Sequence, residues 1–520
     1  MGRLGRMIFF WWFFAANASA GTCGETVSAT DWEQPVIQLQ VGPLRTVASD
    51  VLVFARELFP EQSIQVASLM LLGFWGYPEF SGLSQSDPVS VFLFPSAEND
   101  YDWVACARMG ENGAIRSSLS LQNLRTKEVG GWTFIGSREG PLAAAVESGP
   151  EGILLALAAR PLENDFRLDI HPSQLARFWA IREKILLERL SERRELGDNL
   201  PVLSRFNFLE NFIQQVDGLS VIGDFQKRTF LGSLRLSARE KSDLEYMLCA
   251  PGKEIDSLHI AGALPASGQL QLLFRYDPEK LCRLLELSLD QCLSYGMQGI
   301  SKREVYNFLQ EVLSSFTGTV ASRFSDDGTV QRLVAMDVSQ KRLGDWAEFA
   351  CEKLLPVFAA QDKPPLPPGV DFQFSAEADR EAFRHRGIPA ISITVRTEGS
   401  FSVPGEEGPE RIPFSFTDQL FFCSLGDAVA MANDEEAFRE VVDDFLNGGP
   451  TVPSLADSMP FESDTIARSH VDLLKLFGLD EEGKGVDLTV RFREGSALID
   501  FSLDGGDLGA IIHAIGDSRE

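Results

Sequence analysis

The residues with the most chemistry to offer in this 520-residue chain are five histidines and seven cysteines. His171 and His470 each stand where an apolar strand runs into a helix, in Ile170-His171-Pro172 and Ser469-His470-Val471. Gly42 and Asp277 fill the same corner in Val41-Gly42-Pro43 and Tyr276-Asp277-Pro278, so the position asks for a turn or cap residue rather than an imidazole. Proline suits the first helical turn because no N–H is needed from it there. His259 falls in a linker, and His385, between Arg384 and Arg386, has no partner close in sequence. Cys106, Cys249, Cys351 and His513 each follow an aspartate by six residues: Asp100, Asp243, Asp345 and Asp507. Three thiolates and an imidazole are a zinc-type donor set, but such sites usually show close pairs such as C-x-x-C, and these four lie in separate segments. A buried cysteine acts as a small apolar residue, which suits a helix lying close on a sheet. Packing is the expected role for these cysteines and for His513. Cys282 and Cys292, ten residues apart on one expected helix, are separated by roughly 15 Å along its axis, too far to bridge. Sequence leaves the disulfide state of these two and of Cys423 open.

The acidic clusters Asp326-Asp327-Gly328, Asp480-Glu481-Glu482-Gly483 and Asp504-Gly505-Gly506-Asp507 lack the ligand spacing of a calcium loop, and Asp-Gly is what a turn between strands requires. The chain has no G-x-S-x-G elbow, H-E-x-x-H, Walker loop or G-x-G-x-x-G after a strand. A glycosidase needs only two carboxylates, which disfavours that class without excluding it. No catalytic residue and no metal ligand is assigned, no binding residue can be named, and no cofactor is expected.

The elements that carry these residues recur. Phe206-Asn207-Phe208-Leu209 to Gly218 returns as Tyr306-Asn307-Phe308-Leu309 to Gly318, each time leading from a helix to a strand, a polar turn and a second strand. The four aspartates above are read as helix N-caps, whose carboxylates accept orphan N–H groups. Gly131-Trp132-Thr133-Phe134-Ile135-Gly136-Ser137 corresponds to Gln419-Leu420-Phe421-Phe422-Cys423-Ser424. The order of units predicts an α+β fold in two tandem copies of one domain, each a mainly antiparallel curved sheet with helices packed on one face. The boundaries are a signal at 1–20, a lead at 21–35, a first copy at 36–251, a linker at 252–268 and a second copy at 269–516. The stretches 363–369, 403–412 and 448–460 read as surface loops.

Arg3 and Arg6, the apolar run 7–16 and Ala18-Ser19-Ala20 form a secretory signal with cleavage before Gly21. Cys23 as a lipid acceptor is the weaker reading, because Ala20-Gly21-Thr22 makes a poor lipobox; no transmembrane anchor is expected after cleavage. The formal charge is −28, a surface that repels nucleic acid and anionic headgroups. The mature chain has no N-x-S/T sequon, which points to a periplasmic or extracellular place in a Gram-negative-type bacterium. The 38 phenylalanines against 6 tyrosines offer an apolar interior.

With its strand-helix corners, hairpins and the Gly131-Trp132 strand ahead of a helix, the chain loosely resembles duplicated, exported bacterial proteins of unassigned function. That resemblance implies a fold and a compartment and supplies no active-site residue. The expected function is a non-enzymatic binding or structural protein of the bacterial envelope whose partner is an envelope protein or a polymer. The alternative is a carrier of an apolar small molecule in a sheet-helix or interdomain cleft, and an enzyme of unfamiliar type is third.

Overall fold

The computed structural model describes residues 35–58, 84, 86–95, 101–109, 124–136, 153–172, 174, 212–249, 258–281, 283, 301–325, 327–356, 370–405, 408–458, 462, 464–479 and 483–517. They form a mainly antiparallel β-sheet fold with helices, of the α+β class. Two compact units divide the chain: 1–248 with 493–520, and 249–492. The signal, Cys23, the loop 363–369, the Asp480 cluster and Cys292 lie outside the described residues, as does the side chain of Cys282.

In the first unit β1 (Ile37–Val41) is central, antiparallel to β2 (Val89–Pro95) and to β6 (Phe166–Ile170). The ladder runs outward from β2 through β3 (Tyr101–Ala107) and β5 (Trp132–Gly136) to β4 (Arg125–Val129). On the other side it runs from β6 through β7 (Val216–Gln226) and β8 (Thr229–Ala238) to β18 (Ser496–Asp504). One face is closed, with Phe92, Phe94, Val104, Cys106, Trp132 and Phe134 packed under α2 (Ile153–Ala158). Gln38 and Gln40 are buried on that face too, and their amide nitrogens explain why: they donate to the carbonyls of Leu157, Ala158 and Arg160. Those carbonyls lie at and just past the end of that helix, where the last C=O groups lack i+4 partners within it. The opposite face carries Ile37, Leu39, Val41, Leu168, Val221, Leu234 and Ile499, all half-buried. There Phe54 of α1 (Leu44–Leu58) meets Phe225, which stacks on toward Phe230, Phe166 and Phe501. Gly223 and Gly232, opposite each other in the ladder, make room for these rings: an added Cβ would stand 2.2 Å from the Phe166 ring or 2.1 Å from that of Phe501.

In the second unit β9 (Leu270–Arg275) is central, between β10 (Phe316–Phe324) and β16 (Thr465–Val471), with β17 (Val486–Arg493) beyond β16. From β10 the ladder passes through β11 (Val330–Met336), β15 (Ala428–Ala432), β14 (Gly408–Ser424) and β13 (Ile388–Gly405) to β12 (Val370–His385). Helices cover both faces here. Ala390, Phe421 and Cys423 pack under α6 (Glu435–Asn447), whereas Ile391 and Phe422 pack toward α4 (Lys302–Ser315) and α5 (Gln340–Phe349). The expectation of helices on one face fails in both units, since α1 and α2 lie on opposite faces of the first; in the second, consecutive strand residues such as Phe421-Phe422-Cys423 are apolar, so both faces need cover.

Helix starts also differ from the sequence reading. Ser339, not Asp345, caps α5; Asp345 lies inside that helix and pairs with Arg380 at 2.6 Å. Ser242 caps α3 (Asp243–Met247), and Asp507 is the third residue of α9 (Gly505–Asp517). Tyr101, after Asp100, opens a strand, so Cys106 packs from β3 rather than from a helix. Serine competes for the cap as well as aspartate does, and the aspartates one or more residues later sit in the helix body. His470 lies within β16, and the corner residue is Asp472, which caps α8 (Leu473–Leu476).

Candidate interaction surface

The structure scatters the residues with chemistry. Cys106 of β3, Cys423 of β14, Cys351 just after α5 and Cys249 just after α3 are in no disulfide. Burial pushes Cys106 well above the ordinary thiol range and Cys423 up to about 12, so both stay protonated and unreactive at neutral pH. Among the described residues, histidine, cysteine, aspartate and glutamate form no group of three that could hold a metal ion. His513 is exposed on α9 rather than packed against the sheet, and the ring of His470 pairs with Asp487 at 2.8 Å. His171 follows β6, and its backbone N–H donates to Val36 at 2.9 Å.

His385 has a partner that sequence does not reveal. Its Nε2 lies 2.8 Å from Oδ1 of Asp443 on α6, and Arg386 meets the same oxygen at 2.5 Å. Arg439 lies 4.8 Å from the centre of the Phe383 ring. Burial alone would raise the Asp443 carboxyl, but His385 and Arg386 outweigh it and hold the group below the usual aspartate range. A depressed folded value contributes stability above the unfolded pKa that is lost as pH falls through the folded one. Asp443→Asn is therefore expected to lower the urea midpoint at pH 7 and to leave it less sensitive to acid below about pH 4 than in the parent. Parallel acid limbs in the two proteins would contradict this.

Among the described residues the most exposed large apolar side chain, Phe416, stands on one of the longest strands of the second unit. In β12, β13 and β14 the cross-strand rows run Ala378–Ile393–Leu420, Ala376–Val395–Asp418 and Phe374–Thr397–Phe416, followed by Gly399–Phe414. The first row packs with Leu343 and Trp346 of α5. Farther along the same face Phe416 is 62 % exposed and Ile412 37 %. The rings of Phe414 and Phe416 lie 5.6 Å apart. The other face of this ribbon is polar, carrying exposed Gln373, Ser375, Glu377, Arg396, Glu398, Thr417 and Gln419. The stretch 403–412 is thus not a loop: Val403 pairs with Glu410, Pro404 with Pro409 and Gly405 with Gly408. Its glycines, prolines and glutamates read as loop composition, while the alternation in Ile412-Pro413-Phe414-Ser415-Phe416 carried the strand signal.

No family model matches the chain, and no curated protein does. Three crystal forms of TP0453 are similar at TM-scores of 0.22, 0.21 and 0.20 with 8% identity, over 48–50% of this chain and 95–97% of theirs. Likeness at that level carries no argument about this chain. No helix among the described residues is long and apolar enough to cross a membrane.

Proposed function

We propose that the chain is an exported, non-enzymatic binding protein of a bacterial envelope, built from two tandem copies of one α+β domain, 36–251 and 269–516, and that it holds a protein partner through the β12–β14 ribbon. The carrying observation is the continuation of an apolar core face past the row packed on α5, ending in Phe414 and the 62 %-exposed Phe416. Exposed aromatic rings next to a polar rim are the usual anatomy of a protein contact.

Export is supported by the tripartite signal at 1–20. Duplication is supported by strand order: β5-β3-β2-β1-β6-β7 in one unit answers to β15-β11-β10-β9-β16-β17 in the other. Aligning Gly42-Pro43 with Asp277-Pro278 sets Gln40 against Arg275. Both are buried, and each donates to carbonyls just ahead of the next strand, Gln40 to Arg160 and Arg275 to Glu462. Aligning the turns Lys227-Arg228 and Glu494-Gly495 makes Ser233 and Asp500 equivalent, and these two face each other at the centre of the β8–β18 ladder.

A second reading, a carrier of an apolar small molecule, draws on the aromatic cluster of buried Phe54 with half-buried Phe166, Phe225, Phe230 and Phe501. Pull-down from envelope extract separates the two. The double replacement Phe414→Ser with Phe416→Ser is expected to reduce recovery of the protein partner at least tenfold, as loss of an aromatic anchor does, while the melting temperature holds. Undiminished recovery would refute the ribbon assignment.

A further inference from the structure

Strand β12 is the outer strand of the ribbon: among the described strands it pairs with β13 alone. Every second residue of an outer strand turns its N–H and C=O away from the ladder, and natural edges are normally blunted by charge, bulges or covering elements. The inner end of β12 is blunted in this way. A register shift falls between Asp379 and Phe383, and Arg380 reaches across to Asp345 and Glu348 of α5. The segment 373–379 pairs residue for residue with β13, with no shift in its register. Seven residues of strand span about 23 Å, room for a peptide of similar length.

The two faces of that segment differ. Phe374, Ala376 and Ala378 point one way and are half-buried, whereas Gln373, Ser375, Glu377 and Asp379 point the other way and are exposed. A strand laid beside β12 would meet apolar neighbours on one face and two carboxylates on the other, and opposite charges directly across a sheet are favourable. Resting on the reading that the ribbon binds a protein, we infer that β12 recruits an extended segment of its partner as an added strand, with apolar side chains beside Phe374 and Ala376 and basic ones beside Glu377 and Asp379. Main-chain hydrogen bonds hold such a segment, and alternate side chains select it. The net charge of −28 favours a basic occupant over an anionic bilayer.

The test uses the full chain and a nine-residue peptide of alternating valine and lysine, with binding read by fluorescence anisotropy and β12 read by amide hydrogen exchange. Alternate amides within 373–379 are expected to exchange freely in the unbound protein and to slow at least tenfold when the peptide is present. N-methylation of one alternate set of peptide amides should abolish binding while methylation of the other set leaves it intact, a signature that charge attraction alone cannot produce. Glu377→Lys with Asp379→Lys should weaken binding tenfold or more. Binding that tolerates both methylation patterns, or that leaves β12 exchange unchanged, would overturn strand addition, as would protection produced by phosphatidylglycerol vesicles and not by the peptide. If the Phe414→Ser, Phe416→Ser protein loses its envelope partner while the peptide fails to protect β12, the ribbon reading stands and strand addition falls. If that protein keeps its partner while the peptide protects β12, strand addition stands and the assignment of the apolar face falls.

Discussion

Phe438→Ala is expected to lower the unfolding free energy of the second unit by about 3–5 kcal/mol, the usual cost of emptying a buried aromatic site. Phe438 is 1 % exposed on α6, and its ring meets both Phe383 and Phe421, with centroids at 5.6 and 6.3 Å. The residue therefore joins the helix to two strands at once, and its loss leaves a cavity that the surrounding Ala430, Ala432 and Ala437 are too small to fill. A fall in the urea midpoint with an unchanged slope is the expected signature. A loss below about 1 kcal/mol would mean that α6 does not seal this face.

Gly268→Val is expected to cost about 3 kcal/mol or more, because two penalties add: a left-handed backbone and a steric clash. Gly268 has φ +114°, and a Cβ there would lie 2.3 Å from the carbonyl oxygen of Phe324. That oxygen also accepts from the N–H of Gln269 at 2.8 Å, so neither group can withdraw without opening the start of the β9–β10 ladder. Because β9 is the central strand of its unit, the damage should appear as loss of the whole cooperative transition, measured by circular dichroism during thermal melting. Wild-type melting in Gly268→Val would show that β9 does not need this close approach.

Much of the strand content was legible from alternation and turn chemistry. The corners Val41-Gly42-Pro43 and Tyr276-Asp277-Pro278 and the turns at Lys227 and Gly328 lie between elements where sequence puts them. Helix starts were less legible, since Ser242 and Ser339 accept the orphan N–H groups as readily as the aspartates beyond them. The ribbon was hidden because Gly405-Glu406-Glu407-Gly408 looks like a loop by composition, and only the pairing of its flanks makes it a hairpin. The His385–Asp443 contact joins residues 58 apart, a distance over which spacing carries no signal. Buried Gln38 and Gln40 were equally opaque, since their burial depends on where α2 ends.

Site-specific photocrosslinking from position 416 most directly tests the central claim that the ribbon holds a protein partner. A photoreactive phenylalanine analogue in place of Phe416, irradiated in envelope extract from the native host, should yield one discrete adduct. The same analogue at Leu231, 37 % exposed in the first unit, should yield none. No adduct at position 416, or the same adducts from both positions, would contradict the account.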